Sequence, residues 1–408
     1  MRRILYFIPE PWPTFRVDVT VLFGQKLPHL GIFSDLVASP NGAESEYSNW
    51  EGGNAHLASR KTDRFGRHLQ YLLHVLAELR RADPAVYQAI QVRDMPVIAA
   101  IVMLFARYRR IPFCYWMSYP ISRGLMDLAL ARRREGQILR WIPTWLRGRV
   151  GQFALSRFVL RDADIVFVQS ERMRDELIED GVSTELVVPV PMGVDCAALR
   201  TVSLSPEIQA RFSGRRVIAY LGTLDRPREI QTLFQMLAII RAQLPQVVLM
   251  LVGDTRDNGH RDWLLSQARS LGVADSIHWT GWLPMADAMQ HVLHAEVALS
   301  PVPRGSLLDC SSPTKVPEYL ALGIPVVCND NPDQKALIEA SGAGTCVPYT
   351  AGSFAAAVLA WMAMPEDERH ERILRGKEHV KRFRDYDAIA LAVAAVYKRN
   401  LTASGSAS

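Results

Sequence analysis

Cysteine is scarce in this chain: five thiols in 408 residues, at positions 114, 196, 310, 328 and 346, odd in number, widely spaced and without a CxxC. That disfavours both a disulfide framework and a zinc site, and it fits a reducing compartment. Glycine and proline, at 25 and 24 residues, are too few for a collagenous or low-complexity chain, and 22% charged against 49% hydrophobic residues excludes a disordered one. Long apolar runs are missing as well. The runs at residues 97–106 and 354–364 span ten and eleven residues, against the roughly 20 that a bilayer-crossing helix needs. At the N-terminus, MRRILYFIPEP has an apolar run stopped by Pro9 and Glu10 with no small-residue cleavage site. It reads as a first strand and not a signal peptide, and the expectation is a cytoplasmic protein. There is no internal repeat, and low complexity is confined to residues 402–408, a tail expected to fray.

What is present is an alternation. Short β-branched or apolar runs, such as ILYFI, YQAIQV and ADIVFVQS, are each followed by a helical pattern, and after VVPVPMGVD the alternation restarts with RRVIAYLG, QVVLMLVG, SIHWTG, EVALSP and IPVVCN. This is the signature of βαβ units around a parallel sheet, occurring twice. The expected fold class is α/β, two doubly wound Rossmann-like domains facing each other across a cleft. The expected boundaries are 1–197 and 198–384, with a final helix at 385–401 docking back on the body. Ligands of such sheets bind at the C-terminal ends of the strands.

The segment SSPTKVPEYLALGIPVV, residues 311–327, concentrates the chemistry. Ser312, Pro313 and Thr314 offer a cap and a helix start, Lys315 lies in the first turn, Glu318 follows three residues later, and Gly323 is a stop before the next strand. The reading is either an ordinary capped helix or a diphosphate cradle, because free N–H groups beside a lysine attract phosphate. No metal-binding motif stands in a convincing position, and none of the ten histidines has ligand spacing.

Taken in order, RRILYFIPEP, DADIVFVQSERMRDELIEDGV, VVPVPMGVD, YLGTLDRPREIQTLF, VVLMLVGD, IHWTGWLP and SPTKVPEYLALGIPVV span nearly the whole chain and resemble the retaining glycosyltransferases of family 4, the group 1 glycosyltransferases, which have the GT-B fold. The resemblance implies a nucleotide-diphospho-sugar donor in the C-terminal domain, no cofactor and no metal. It also implies a glycan or lipid-linked acceptor for surface polysaccharide or glycolipid synthesis. It places Glu318 on the nucleotide ribose, with Gly222, Thr223, Arg226, Leu283, Ser312, Pro313 and Thr314 around the nucleotide. Arg228 would be one cation on the leaving diphosphate, unless it is a solvated surface charge, and Lys315 or Arg226 would supply the second.

The chain also departs from the family's pattern. The first Glu of the E-x7-E motif falls on Cys310, leaving Asp309 and Cys310 as sugar-binding candidates, and Thr223 stands where relatives often carry Arg. The usual glycine-rich loop after the first strand reads PWPTFRVDVT, and the usual histidine after IPFCYWM gives way to Met117, Ser118 and Tyr119. Arg93 and Asp94, at a strand end, are then acceptor-side or catalytic candidates, with Arg16 and Ser118 beside them; Asp94 reads equally as a cap before Pro96. A catalytically silent subunit that binds a partner or lipid is the alternative these departures motivate.

Charge is uneven. Residues 107–161 hold twelve Arg and no Lys against Asp127 and Glu135, a surplus of ten that leaves the rest of the chain at −5. Within residues 132–149, Arg alternates with Trp, Leu and Ile, the composition of an interfacial segment on anionic lipid. An acceptor-phosphate or solvated face is the alternative. Nucleic acid is not expected, since no nucleic-acid motif accompanies the charge. The protein is thus expected to sit peripherally on the inner face of the plasma membrane. Pro143 predicts two short helices here and not one.

Overall fold

The computed structural model describes residues 2–41, 49–59 and 64–402. The tail residues 403–408, expected to fray, lie outside the described residues. The chain divides into two compact units, one running to Met192 and resuming at Tyr386, the other Gly193–Asp385.

The first unit contains β1 (Arg2–Phe7), β2 (Ile32–Ala38), β3 (Ala55–Leu57), β4 (Ala89–Arg93), β5 (Phe113–Met117), β6 (Ile165–Val168) and β7 (Val187–Pro189). All are parallel, in the order 3-2-1-4-5-6-7. Such strands are covered on both faces, which is why they read as unbroken apolar runs. Alternate residues Ile4 and Tyr6, Cys114 and Trp116, Ile165 and Phe167 face one way and pack with Phe23 and with Tyr397 of the last helix, Tyr386–Thr402. The Tyr397 hydroxyl hydrogen-bonds the Gln91 side-chain oxygen of β4. The final helix is therefore part of the first unit's core.

The second unit contains β8 (Arg216–Leu221), β9 (Val247–Val252), β10 (Ile277–Gly281), β11 (Val297–Ser300), β12 (Val326–Asn329) and β13 (Gly344–Val347), parallel in the order 10-9-8-11-12-13. Ile218, Leu249, Leu251 and Leu299 face one core; Val217, Met250, Ala298 and Val326 face another on the opposite side of the sheet. Val194 and Cys196 belong to the latter core, so the second unit begins at Gly193, a few residues ahead of the expected 198.

Two local expectations change. The helical pattern expected after ILYFI is present, but it is wound as a π-helix, Asp18–Lys26, continuing into Leu27–His29. Pro143 lies inside one helix, Ile138–Ala154, and does not divide it. Pro143 is exposed, so water reaches the carbonyl its missing N–H leaves over.

Candidate functional site

At the C-terminal ends of β8 and β9 two loops meet across glycines that no other residue replaces. Gly222 has φ +142° and Gly253 φ +138°, and a Cβ on Gly253 would stand 2.1 Å from the Gly222 carbonyl oxygen. The next wall is the helix Lys315–Leu322, ended by Gly323 with φ +82°. Tyr319 of this helix accepts the Leu221 N–H on its hydroxyl at 2.9 Å, and the Tyr220 hydroxyl donates to the Thr223 carbonyl at 2.9 Å. These two tyrosines fix the loop after β8 against the helix.

Between them lies a pocket of about 250 Å³ lined by Gly222, Thr223, Leu283, Thr314, Lys315 and Glu318, with Gly253 and Trp282 also on its wall. Thr314 makes no side-chain cap; its hydroxyl is engaged with Glu318, so the first N–H groups of the helix keep no side-chain acceptor. Lys315 lies with its ammonium 5.5 Å from the centre of the Tyr220 ring. Burial, reinforced by the nearby Arg228 guanidinium and opposed by Glu318, brings that ammonium down to about 8. Burial pushes the Glu318 carboxyl up to about 7, against the pull of Lys315 and the Thr314 hydrogen bond. Arg228 is half-buried on a short 3₁₀ turn, Arg226–Arg228, held by the Tyr349 hydroxyl on the Arg228 carbonyl at 2.8 Å. Among the described residues neither Arg228 nor Lys315 has an ion-pair partner, whereas Arg226 is paired with Asp257 at 3.2 Å.

Other predicted residues are placed elsewhere. Ser312 donates to Asp333 at 2.8 Å and accepts from Arg384 at 3.3 Å, tying the loop to the helix Pro332–Ser341 and to the residue that follows the helix Glu366–Phe383. Pro313, Arg226 and Arg228 do not line the pocket, though Arg228 is near enough to act on the Lys315 ammonium. Asp309 is gripped by both arms of Arg304 at 2.8 and 3.0 Å, and the buried Cys310 thiol meets the Ser306 carbonyl at 3.4 Å.

In the first unit the residues after β1 and β4 form a buried charge cluster. Arg93 is fully buried; it hydrogen-bonds Asp18, reaches Glu10 at 3.3 Å, and lies 3.8 Å from Asp94. Asp94 accepts the Ser118 backbone N–H at 2.9 Å and the Ser118 hydroxyl. Its burial outweighs those contacts and raises its carboxyl to about 6. Arg16 pairs with Glu10 at 3.2 Å from the exposed side. Asp94 and Met95 both hold left-handed backbone, φ +51° and +49°, a local strain that the cluster maintains. Arg16, Arg93, Asp94 and Ser118 are thus brought together. Glu10, Asp18 and Tyr6 were missed; Glu10 directly precedes the stretch PWPTFRVDVT and Asp18 lies within it. One oxygen each of Tyr6, Glu10 and Asp18 is buried without a partner.

Two family models match: "Glycosyl transferase 4-like domain" over residues 16–193 and "Glycosyl transferases group 1" over residues 203–379. The chain belongs to the group 1 glycosyltransferases of the family 4 type. Glycogen synthase of Mycobacterium tuberculosis is 23% identical over 260 residues, which is 62% of this chain and 59% of that protein. The match therefore spans well under two thirds of the curated relative. Among solved structures, a glycosyltransferase of Rickettsia africae superposes with a TM-score of 0.73 at 13% identity, covering 98% of both chains. HepE of Anabaena in complex with UDP gives 0.69 at 16% identity, covering 98% of this chain and all of that one. At such identities these neighbours establish the fold, which is GT-B.

Proposed function

We propose that the protein is a retaining glycosyltransferase that takes a sugar from a nucleotide-diphospho-sugar and passes it to a glycan or lipid-linked acceptor, in surface polysaccharide or glycolipid synthesis at the cytoplasmic face of a membrane. One observation carries the reading. Two cations without ion-pair partners among the described residues, Lys315 on the pocket wall and Arg228 near it, accompany an uncapped helix start whose first turn also presents Glu318. That set fits a nucleoside diphosphate: positive charge and N–H groups for the phosphates, a carboxylate for the two ribose hydroxyls. HepE, a protein of the same fold, binds UDP, which agrees with this assignment.

In the reaction, the bond between the anomeric carbon and the β-phosphate oxygen breaks while the acceptor oxygen bonds to that carbon on the same face. The departing phosphate oxygen takes the acceptor's proton, so no dedicated protein base is needed. Lys315 and Arg228 stabilise the charge that gathers on the diphosphate. Asp94, held by Arg93 and Ser118, and Arg16 serve the acceptor side. The residues that engage Asp309 and Cys310 favour a second reading, a silent subunit, because the family's sugar-binding position is closed here by Arg304 and by burial. The deciding experiment is release of nucleoside diphosphate from a panel of nucleotide sugars, with the anomeric configuration of any product read by NMR. Turnover above background with retained configuration supports the transferase. Nucleotide binding without turnover supports the silent subunit, and inversion overturns the mechanism.

A further inference from the structure

On the first unit, the helices Ile121–Arg134 and Ile138–Ala154 form a hairpin whose packing is inverted relative to an ordinary surface helix. Such a helix turns its apolar stripe to the core. Here the inward side of Ile138–Ala154 consists of Gly148, Gly151 and Ala154. A Cβ on Gly148 would stand 2.8 Å from Met126 Cγ, and one on Gly151 2.8 Å from Ser122 Oγ. The two helices meet backbone to backbone, and the large apolar side chains have nowhere to go but out. Leu139, Ile142, Leu146, Val150 and Phe153, three or four residues apart on one face, are 47–93% exposed, with Trp145 beside them. Scattered exposed apolar residues are ordinary; a continuous stripe of them is not.

The charge on the hairpin is of one sign. Residues 121–154 hold seven Arg and no Lys against Asp127 and Glu135, a net +5. Arg133 stacks over Trp141 at 5.3 Å and Arg149 over Trp145 at 5.8 Å, keeping cation and aromatic at the same level. Arg123 ties the hairpin to the helix Glu171–Glu179 by its ion pair with Glu176, so the stripe is presented on a fixed base.

We propose that the outward face of this hairpin docks on an anionic phospholipid bilayer, the stripe of Ile138–Ala154 lying in the interface and the arginines on headgroup phosphates. Charge selects this occupant. A second copy would bring +5 against +5, and nucleic acid has no use for a row of Leu, Ile and Phe. Docking of this kind does not depend on sugar transfer, so it is measured without any donor.

The test is co-sedimentation of the full chain with phosphatidylcholine vesicles, with and without about 30 mol% phosphatidylglycerol, over a range of salt. Binding is expected only with the anionic lipid. Leu139→Ser/Leu146→Ser/Phe153→Ser, all exposed positions, is expected to keep the parent's melting temperature and lower binding by about tenfold or more at every salt concentration. Arg133→Gln/Arg134→Gln/Arg140→Gln is expected to lower it chiefly at low salt. Equal binding to neutral and anionic vesicles, or a Ser variant that binds like the parent, overturns the proposal. So does lipid-free self-association that the Ser variant abolishes, which would make the stripe a contact between copies.

Discussion

Lys315 and Glu318 stand one turn apart on the same helix, and burial moves each toward neutrality, to about 8 and about 7. Bound diphosphate favours the charged lysine, so affinity for a nucleoside diphosphate should fall as pH rises through about 8. The ribose contact needs the carboxylate, so affinity should also fall as pH drops below about 7. Calorimetry across this range is expected to show a maximum between the two, with apparent values that belong to the pair. Glu318→Gln should weaken binding about tenfold and erase the acid-side fall without changing the melting temperature. An unchanged acid limb would remove Glu318 from the ribose. Gly253 makes a second prediction at this scale. Because a Cβ there meets the Gly222 carbonyl oxygen at 2.1 Å, Gly253→Ala must spread the two loops. It should cost about 1–3 kcal/mol in denaturant unfolding and weaken nucleotide binding as well. Wild-type affinity in that variant would mean the two loops do not shape the binding site.

At the scale of elements, the final helix carries the clearest prediction. Tyr397 is fully buried between Phe167, at 5.2 Å between ring centres, and the Gln91 amide, whose nitrogen already lacks a partner. Tyr397→Phe should cost about 1–3 kcal/mol by stranding the Gln91 oxygen, and Tyr397→Ala about 3–5 kcal/mol by adding a cavity. Both are read by denaturant unfolding, and equal stability of the two variants would contradict this packing. This helix was legible because apolar Ile389, Val393 and Val396 repeat on one face, a pattern contained in a few turns of chain. The strands were legible for a related reason, since parallel strands buried on both faces must be unbroken apolar runs. The single helix through Pro143 was not. Proline's cost is local, but the gain that offsets it, close packing of Gly148 and Gly151 against Ser122 and Met126, involves a helix more than twenty residues earlier. The helix at Asp18–Lys26 was expected, but its π winding escaped in the same way. Asp18 is held by Arg93, 75 residues away, and nothing in its own neighbourhood announces that pairing.

At the scale of the molecule, the same distinction separates the parts of the site. Thr314, Lys315 and Glu318 could be read together because one helical turn carries them, whereas Arg228, outside the pocket wall, comes near Lys315 only through the fold, from the loop after β8. Ser312 looked like part of that turn, yet Asp333 and Arg384 claim it, two residues that sequence order places far away. The charge arrangement that results bears on whether a metal is needed. A departing nucleoside diphosphate carries about three negative charges, and a site must meet them with a divalent ion or with its own cations. Lys315, Arg228 and the open N–H groups of the helix are all available for that work, and among the described residues no group of three His, Cys, Asp or Glu side chains is placed to hold an ion. Transfer should therefore persist unchanged in excess chelator. Arg228→Ala and Lys315→Ala should each lower kcat by about 10²–10³-fold with a smaller change in KM, since a charge that acts on the leaving group is felt most in the transition state. Loss of activity in chelator that Mg²⁺ or Mn²⁺ restores would show that an ion supplies this charge, and turnover in both variants within a few-fold of the parent would remove Arg228 and Lys315 from the leaving group.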